Sequence, residues 1–272
     1  MDSAAVQTPA VDRPLSRMLV LGVPVDLVNL QRAVALVGGW ASKGPARTVF
    51  VREVPSLMLA VDTPALRDLH AQADLVVPDG MPLVWVGRLQ GHGAEIGRVA
   101  GADLMDAVCA ASLRTGQSHF FFGGKPGVAE EAARRLGERH PGLKVAGCFS
   151  PPMRDIEPDF KLDAEARAEI DRIAVSGADF IWVGISSPKQ EYWMMQAAPI
   201  VGRGVFFGVG AAFDFHSGAV QRAPSWMRNN GLEWLHRLLS EPRRLWRRYL
   251  ILAPKFVCML LLERFGLVGR NG

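Results

Sequence analysis

Short runs rich in β-branched and aromatic residues recur along this chain and alternate with longer stretches of helical periodicity. The strand candidates are MLVLGV (18–23), TVFVRE (48–53), DLVV (74–77), HFFFGG (119–124), LKVAGC (143–148), FIWVGI (180–185) and VFFGVG (205–210). Between them, DLVNLQRAVALVGGWA and KPGVAEEAARRLGERH place apolar residues at three- and four-residue intervals, the signature of amphipathic helices. Strand–helix–strand alternation predicts an α/β domain, doubly wound, with a mainly parallel sheet and helices on both faces. Such sheets bind ligands beyond the carboxyl ends of their strands.

One of those ends carries an acid between two apolar elements. In DLVVPDGMPLVW (74–85), Leu75 to Val77 reads as a buried strand and Met81 to Trp85 as a buried helix, with Asp79 and Gly80 at the seam. Position alone leaves two readings of Asp79. It caps the following helix, or it is a functional carboxylate at the sheet edge.

The chain has 272 residues, 49% of them hydrophobic and 21% charged, enough for one large domain with an appendage. Three distant cysteines, Cys109, Cys148 and Cys258, lack metal-ligand spacing and read as reduced thiols of a cytoplasmic protein. Residues 1–16 hold acids and prolines and no apolar core of a signal peptide. They are expected to be a disordered tail, followed by a sheet domain over 17–220.

From Arg222 to the end the composition shifts to Trp, Leu and Arg, with ten Lys/Arg against three Asp/Glu. The net charge of +4 is therefore a property of the C-terminal segment, 221–272, where Pro224, Pro242 and Pro254 predict short helices. Tyr249 to Leu262 is apolar except for Lys255, but its fourteen residues fall short of the roughly 20 that span a bilayer. The segment fits a helix lying on an anionic membrane surface, or a helix packed on the domain. No nucleic-acid-binding fold accompanies RRLWRR, so no nucleic-acid partner is expected.

Several sheet-edge loops carry candidate binding groups. FFFGGKPGVAEEAARRL offers Gly123, Gly124 and Lys125 in a turn that leads into a helix, where backbone amides can approach an anion. The phosphate-loop spacing GxxxxGK[ST] is absent. FGVGAAFDF contains Gly208 and Gly210, then Asp214, but lacks the third glycine of a dinucleotide fingerprint. VGISSPKQEYWM puts Ser187, Lys189 and Gln190 after a buried strand, with Pro188 expected in the first helical turn. The six histidines show no ligand spacing, and no Asp-x-Asp pair occurs. Neither a metal nor another cofactor is expected, and a bound diphosphate would need protein cations.

Five blocks together resemble the WecG/TagA/CpsF glycosyltransferase family, also known as glycosyltransferase family 26. They are ADLVVPDGMPLVW, RVAGADLM, FFFGGKPGVAEEAARRL, WVGISSPKQEYWM and GVGAAFDFHSGAVQRAPSWMRNNGLEWLHRLLSEPRRLWRRYL. The resemblance implies a Rossmann-like fold with a membrane-associating C-terminal appendage. It implies inverting, metal-independent transfer of a hexose, often N-acetylmannosamine or its uronic acid, from a UDP-sugar to a polyprenyl-diphosphate-linked saccharide. It also favours a homo-oligomer at the inner face of the bacterial plasma membrane. Carried over residue by residue, the base of the PDG motif falls on Asp79 beside Gly80, and the phosphate- and sugar-contacting arginine on Arg98. The nucleotide loops fall on Gln190 and Asp214, and the appendage arginines on Arg237, Arg244 and Arg247.

There is one departure. Many members carry Thr-x-Asn after the second strand, where this chain has Val51, Arg52 and Glu53. Arg52 then stands at the acceptor or sugar pocket, Glu53 becomes a rival base, and glucose, glucuronic acid or another hexose stays open. Two other classes compete: a nucleotide-dependent oxidoreductase, which should carry the full glycine fingerprint, and a non-catalytic membrane-bound nucleotide-binding adaptor.

Overall fold

The chain begins with a hairpin where a single strand is expected over 18–23. In the computed structural model, which describes residues 15–41 and 44–266 apart from the side chains of Asn229 and Arg244, β1 (Arg17–Val20) and β2 (Val23–Asp26) pair antiparallel. Leu21 and Gly22 reverse the chain with φ of 52° and 77°, a two-residue turn whose twist matches its strands. Only Gly22 marks this turn in the sequence, so the apolar run conceals it. The Asp26 carboxylate then ties the hairpin to the main sheet, accepting from the Val76 amide at 2.6 Å and from Arg17 at 2.8 Å. Most of the expected disordered tail, 1–16, lies outside the described residues.

The rest of the domain alternates as predicted. α1 (Leu30–Trp40) starts where Asn29 accepts the Arg32 amide at 3.0 Å, an N-cap that satisfies one free donor of the first turn. There follow β3 (Arg47–Arg52), α2 (Val54–Asp62), α3 (Pro64–Gln72), β4 (Leu75–Pro78), α4 (Met81–Leu89) and α5 (Gly101–Thr115). The second half contains β5 (Ser118–Gly123), α6 (Val128–Arg139), β6 (Lys144–Phe149), α7 (Ala164–Ser176), β7 (Phe180–Gly184), α8 (Lys189–Val201), β8 (Val205–Gly208) and α9 (Ala212–Ser217). β3 to β8 form one six-stranded parallel sheet in the order β4-β3-β8-β7-β5-β6. This is a Rossmann-like α/β fold.

Side-chain alternation explains the two helical layers. Phe50, Val76, Phe122, Ile181, Val183 and Phe206 point to the face covered by α2, α3, α7 and α8. Val49, Val51, Leu75, Val77, Trp182 and Phe207 point to the other face, under α1, α5, α6 and α9. A strand buried on both faces needs an unbroken apolar run, as these strands have. β8, the last strand in sequence, inserts between β3 and β7, so the chain's two halves meet along it.

Beyond residue 220 come α10 (Ser225–Asn229), α11 (Glu233–Ser240), α12 (Pro242–Arg247), a π-helical turn (Arg248–Leu252) and α13 (Ala253–Arg264). Leu245, Tyr249 and Phe256 are buried, whereas Trp226, Trp246, Leu250, Ile251, Val257, Leu261 and Phe265 are exposed. The segment thus packs on the domain and also presents an apolar side outward. No helix among the described residues is long and apolar enough to cross a membrane.

Candidate active site

A cavity of about 1140 Å³ opens at the carboxyl ends of the sheet strands. The loops after β3, β4, β5, β6, β7 and β8 all reach it, and its opposite wall is formed by the C-terminal helices through Trp234, Arg237, Leu245, Arg248 and Tyr249. It is larger than a typical small-ligand pocket of roughly 300–1,000 Å³.

Asp79 lies in this cavity immediately after β4, and its backbone is held tightly. Its amide donates to the Arg52 carbonyl at 2.6 Å, one step beyond the β3–β4 ladder. Gly80, at φ 109°, turns the chain directly into α4. That conformation is open to glycine and strained for any other residue. Gly80, not Asp79, is the N-cap of α4. The Asp79 carboxylate faces the start of α5 instead, where the Gly101 amide approaches Oδ2 at 3.4 Å. Of the two readings of Asp79, capping of the next helix is therefore not made, and α4, expected to be a buried helix, is only partly buried, with Trp85 exposed.

Burial pushes the Asp79 carboxyl up to about 7, and the negative charges of Glu53 and Glu233 push the same way. Arg98 and the Gly101 amide oppose them and do not prevail. Asp103 shows the reverse balance: burial works to raise it, but Arg222, Arg98 and Arg228 hold it below the usual carboxylate range. One acid in the site therefore binds a proton near neutrality while its neighbour stays ionised.

The cations divide into engaged and available groups. Arg98 donates to Asp103 and Glu233, each at 2.9 Å. Arg222 donates to both Asp103 oxygens at 2.6 and 2.9 Å and to Glu233 at 3.0 Å. This network joins the C-terminal helices to α5. Arg237 is different. It lines the cavity, stacks over Phe215 at 5.5 Å, and its buried Nε has no hydrogen-bond partner. Burial works against its charge, yet Tyr249, Glu53, Glu241 and Asp79 hold its pKa above the ordinary arginine value. Lys125 is exposed on the opposite rim.

Glu53 also faces the cavity and forms an ion pair with Arg248. Gly208, Gly210 and Asp214 line the floor with Gln190, whose Oε1 accepts the Gly210 amide at 3.2 Å. Ser187 and Gly124 are also in the wall. Lys189 lines the cavity but donates to the Arg154 carbonyl at 2.6 Å and to Asp155 at 2.9 Å. Pro188 is the N-cap of α8 and not a first-turn residue.

Three residues expected at the ligand lie outside the cavity lining. Arg52 is fully buried beneath the cavity, ion-paired to Glu191 and donating to Ser187 Oγ at 2.9 Å. Gly123 is also beneath it, where a Cβ would meet the Gly184 backbone at 2.6 Å, so its role is the close approach of β5 to β7. Arg247 is exposed and lies over Trp246 at 5.3 Å. Arg237 and Arg247 fail to share one side because the chain leaves helical geometry at Glu241, φ −132° and ψ 58°, just before Pro242. Arg248, one residue on, lines the cavity instead. The Arg244 side chain lies outside the described residues. Arg222, Glu233, Arg248 and Tyr249 are site residues that local sequence reasoning missed. The arginines belonged to the basic block, but only packing selects which of them face inward.

Among the described residues no cluster of His, Cys, Asp and Glu is arranged to hold a metal ion. A raised carboxyl and a half-buried guanidinium lining one cavity, at the edge of a parallel sheet, suit the transfer of a group with an anionic leaving portion. Residues 18–269 match the glycosyl transferase WecG/TagA/CpsF family. The match covers the sheet domain and all of α10 to α13, and the chain belongs to this family of glycosyltransferases of cell-wall and polysaccharide synthesis.

Proposed function

We propose that this chain transfers a hexose from a UDP-sugar to a polyprenyl-diphosphate-linked saccharide, with inversion at the anomeric carbon and without a metal ion. The observation that carries the reading is Asp79, a cavity carboxylate pushed up to about 7, in the same cavity that Arg237 and Arg248 line from the C-terminal helices. In the reaction the acceptor hydroxyl oxygen attacks the anomeric carbon as Asp79 takes its proton. The bond from that carbon to the diphosphate oxygen breaks, and UDP departs with the electron pair. A base with a pKa near ambient pH suits this step, and guanidiniums at the departing diphosphate stabilise its charge. Arg237 and Arg248, on the wall formed by the C-terminal helices, take that role, while Arg98 and Arg222 are tied to Asp103 and Glu233.

Ion pairing to Arg248 favours Glu53 as an electrostatic neighbour over Glu53 as the base. Val51 and Glu53 both line the cavity, so the departure from Thr-x-Asn bears on sugar or acceptor choice, with N-acetylmannosamine, glucose and uronic acids as the candidates. The exposed Trp226, Trp246, Leu250, Ile251 and Leu261 support peripheral attachment to the inner face of the plasma membrane, and a homo-oligomer is part of the same reading.

A screen of UDP-sugars with a synthetic polyprenyl-diphosphate acceptor tests the proposal, read as acceptor-dependent UDP release. Calorimetry with UDP is run beside it. Binding without turnover of any donor would favour the adaptor, and absence of UDP binding would sink the nucleotide-sugar reading.

A further inference from the structure

Arg52 and Glu191 are both fully buried and ion-paired beneath the cavity floor. Neither side chain touches the cavity. The pair is a poor stabiliser: Arg52 Nε and Glu191 Oε2 have no hydrogen-bond partner. Buried pairs with unsatisfied atoms often contribute less than apolar residues of the same size, so their presence needs another explanation.

Their connections supply one. Glu191 Oε1 also accepts from Gln190 Nε2 at 2.8 Å, and Gln190 Oε1 accepts the Gly210 amide at 3.2 Å. The Gln190 amide is therefore held at both ends, which fixes which end carries the oxygen. Gly208 provides the room, since a Cβ there would meet Gln190 Nε2 at 2.9 Å. On its other side Arg52 donates to Ser187 Oγ at 2.9 Å, and its own carbonyl accepts the Asp79 amide at 2.6 Å. A single residue thus connects the loops after β3, β4 and β7, and through Glu191 and Gln190 the loop after β8.

We propose that Arg52 and Glu191 are a positioning pair that locks the Gln190 side-chain amide in one orientation and holds the floor of the donor site in register with Asp79. The nature of the ligand rests on the proposed function; the lock itself does not. Free, the Gln190 amide could present oxygen or nitrogen to a ligand. Locked, its Oε1 accepts from Gly210 and one Nε2 hydrogen goes to Glu191, so the oxygen and the nitrogen cannot exchange places and each keeps one fixed direction for a further bond. The floor then presents one fixed arrangement of donor and acceptor, which a ligand of the opposite arrangement does not match.

The test replaces the pair as a unit, Arg52→Met with Glu191→Met, so that no lone charge is left buried. The Gln190 side-chain amide is followed by ¹⁵N NMR, assigned by its loss in Gln190→Ala. The wild type should show one sharp resonance pair with slow hydrogen exchange. The double variant should melt near the wild-type temperature yet show a broadened or doubled Gln190 signal. UDP affinity should fall roughly ten- to a hundredfold, and adding Gln190→Ala should cost little more, because the pair acts through Gln190. An unchanged Gln190 signal in the folded double variant overturns the proposal. So does a loss of affinity that adds fully to that of Gln190→Ala. If the wild type binds no UDP, the functional reading fails while the NMR result still decides on the lock. Should the double variant unfold, Arg52→Gln with Glu191→Leu is the substitute, which removes the acceptor for Gln190 Nε2 and leaves no buried charge, and the same two outcomes decide.

Discussion

Glu53 and Arg248, 195 residues apart in sequence, form an ion pair in the wall of the cavity that holds Asp79. Glu53 belongs to the loop after β3 and Arg248 to the C-terminal helices, so the pair closes one half of the chain onto the other. Its acid also contributes to the raised proton affinity of Asp79. Glu53→Gln should move the acidic limb of the pH–rate profile to lower pH, because one of the charges that favour protonated Asp79 is gone. A loss of turnover at every pH, larger than that of an Asp79 variant, would assign the base to Glu53.

Asp79→Asn should keep UDP binding and lose transfer by about 10²–10⁴-fold. In the wild type, transfer should rise with pH and level off above about 7, where the carboxylate is ionised. Steady-state kinetics between pH 5 and 9 read both effects. A flat profile together with near-normal turnover of the variant would remove Asp79 from the mechanism.

Stability should respond to the same residue with the opposite sign. The folded-state pKa is raised from the ordinary 3.8 to about 7, so folding favours the protonated form. The contribution is fully present below about pH 4 and is lost as pH rises through about 7. Asp79→Asn should therefore raise the melting temperature at pH 8 and change it little at pH 4. Calorimetry at the two pH values checks this, and equal shifts at both would place the carboxyl in an ordinary solvated setting.

Arg237 and Arg247 should separate cleanly. Arg237→Ala removes a half-buried cavity cation and should lower kcat/KM even with a water-soluble acceptor analogue, by roughly tenfold or more. Arg247→Ala, on the exposed side, should leave that soluble reaction unchanged and reduce sedimentation with anionic liposomes. Truncation after residue 220 should abolish both transfer and sedimentation. A truncated protein that works at the full-length rate on the soluble analogue would reduce the C-terminal helices to an anchor.

Excess EDTA should leave turnover intact if guanidiniums hold the leaving diphosphate. Complete loss, restored by Mg²⁺ or Mn²⁺, would replace that part of the mechanism.

The sequence by itself determined the doubly wound sheet, because unbroken apolar runs such as Val49 to Val51 and Phe120 to Phe122 can be buried only between two helical layers. It also determined which loops meet at the candidate site, since acids and glycines at or directly after the ends of such runs, as at Asp79 and Gly208, must emerge at the carboxyl edge of a parallel sheet. It did not determine direction or partnership. Leu21 and Gly22 reverse the chain inside an apolar run because the turn is written in left-handed dihedrals, to which hydrophobicity is blind. Arg52 and Glu53 are adjacent, yet strand alternation sends one to a buried carboxylate on α8 and leaves the other to a cation of the C-terminal helices. The choice of Arg237 and Arg248 over Arg247 depends on a helix break at Glu241 and on the packing of Leu245 and Tyr249. Charge counts record how many arginines are present; only the tertiary structure decides which are desolvated, and desolvation is what turns a surface charge into part of a site.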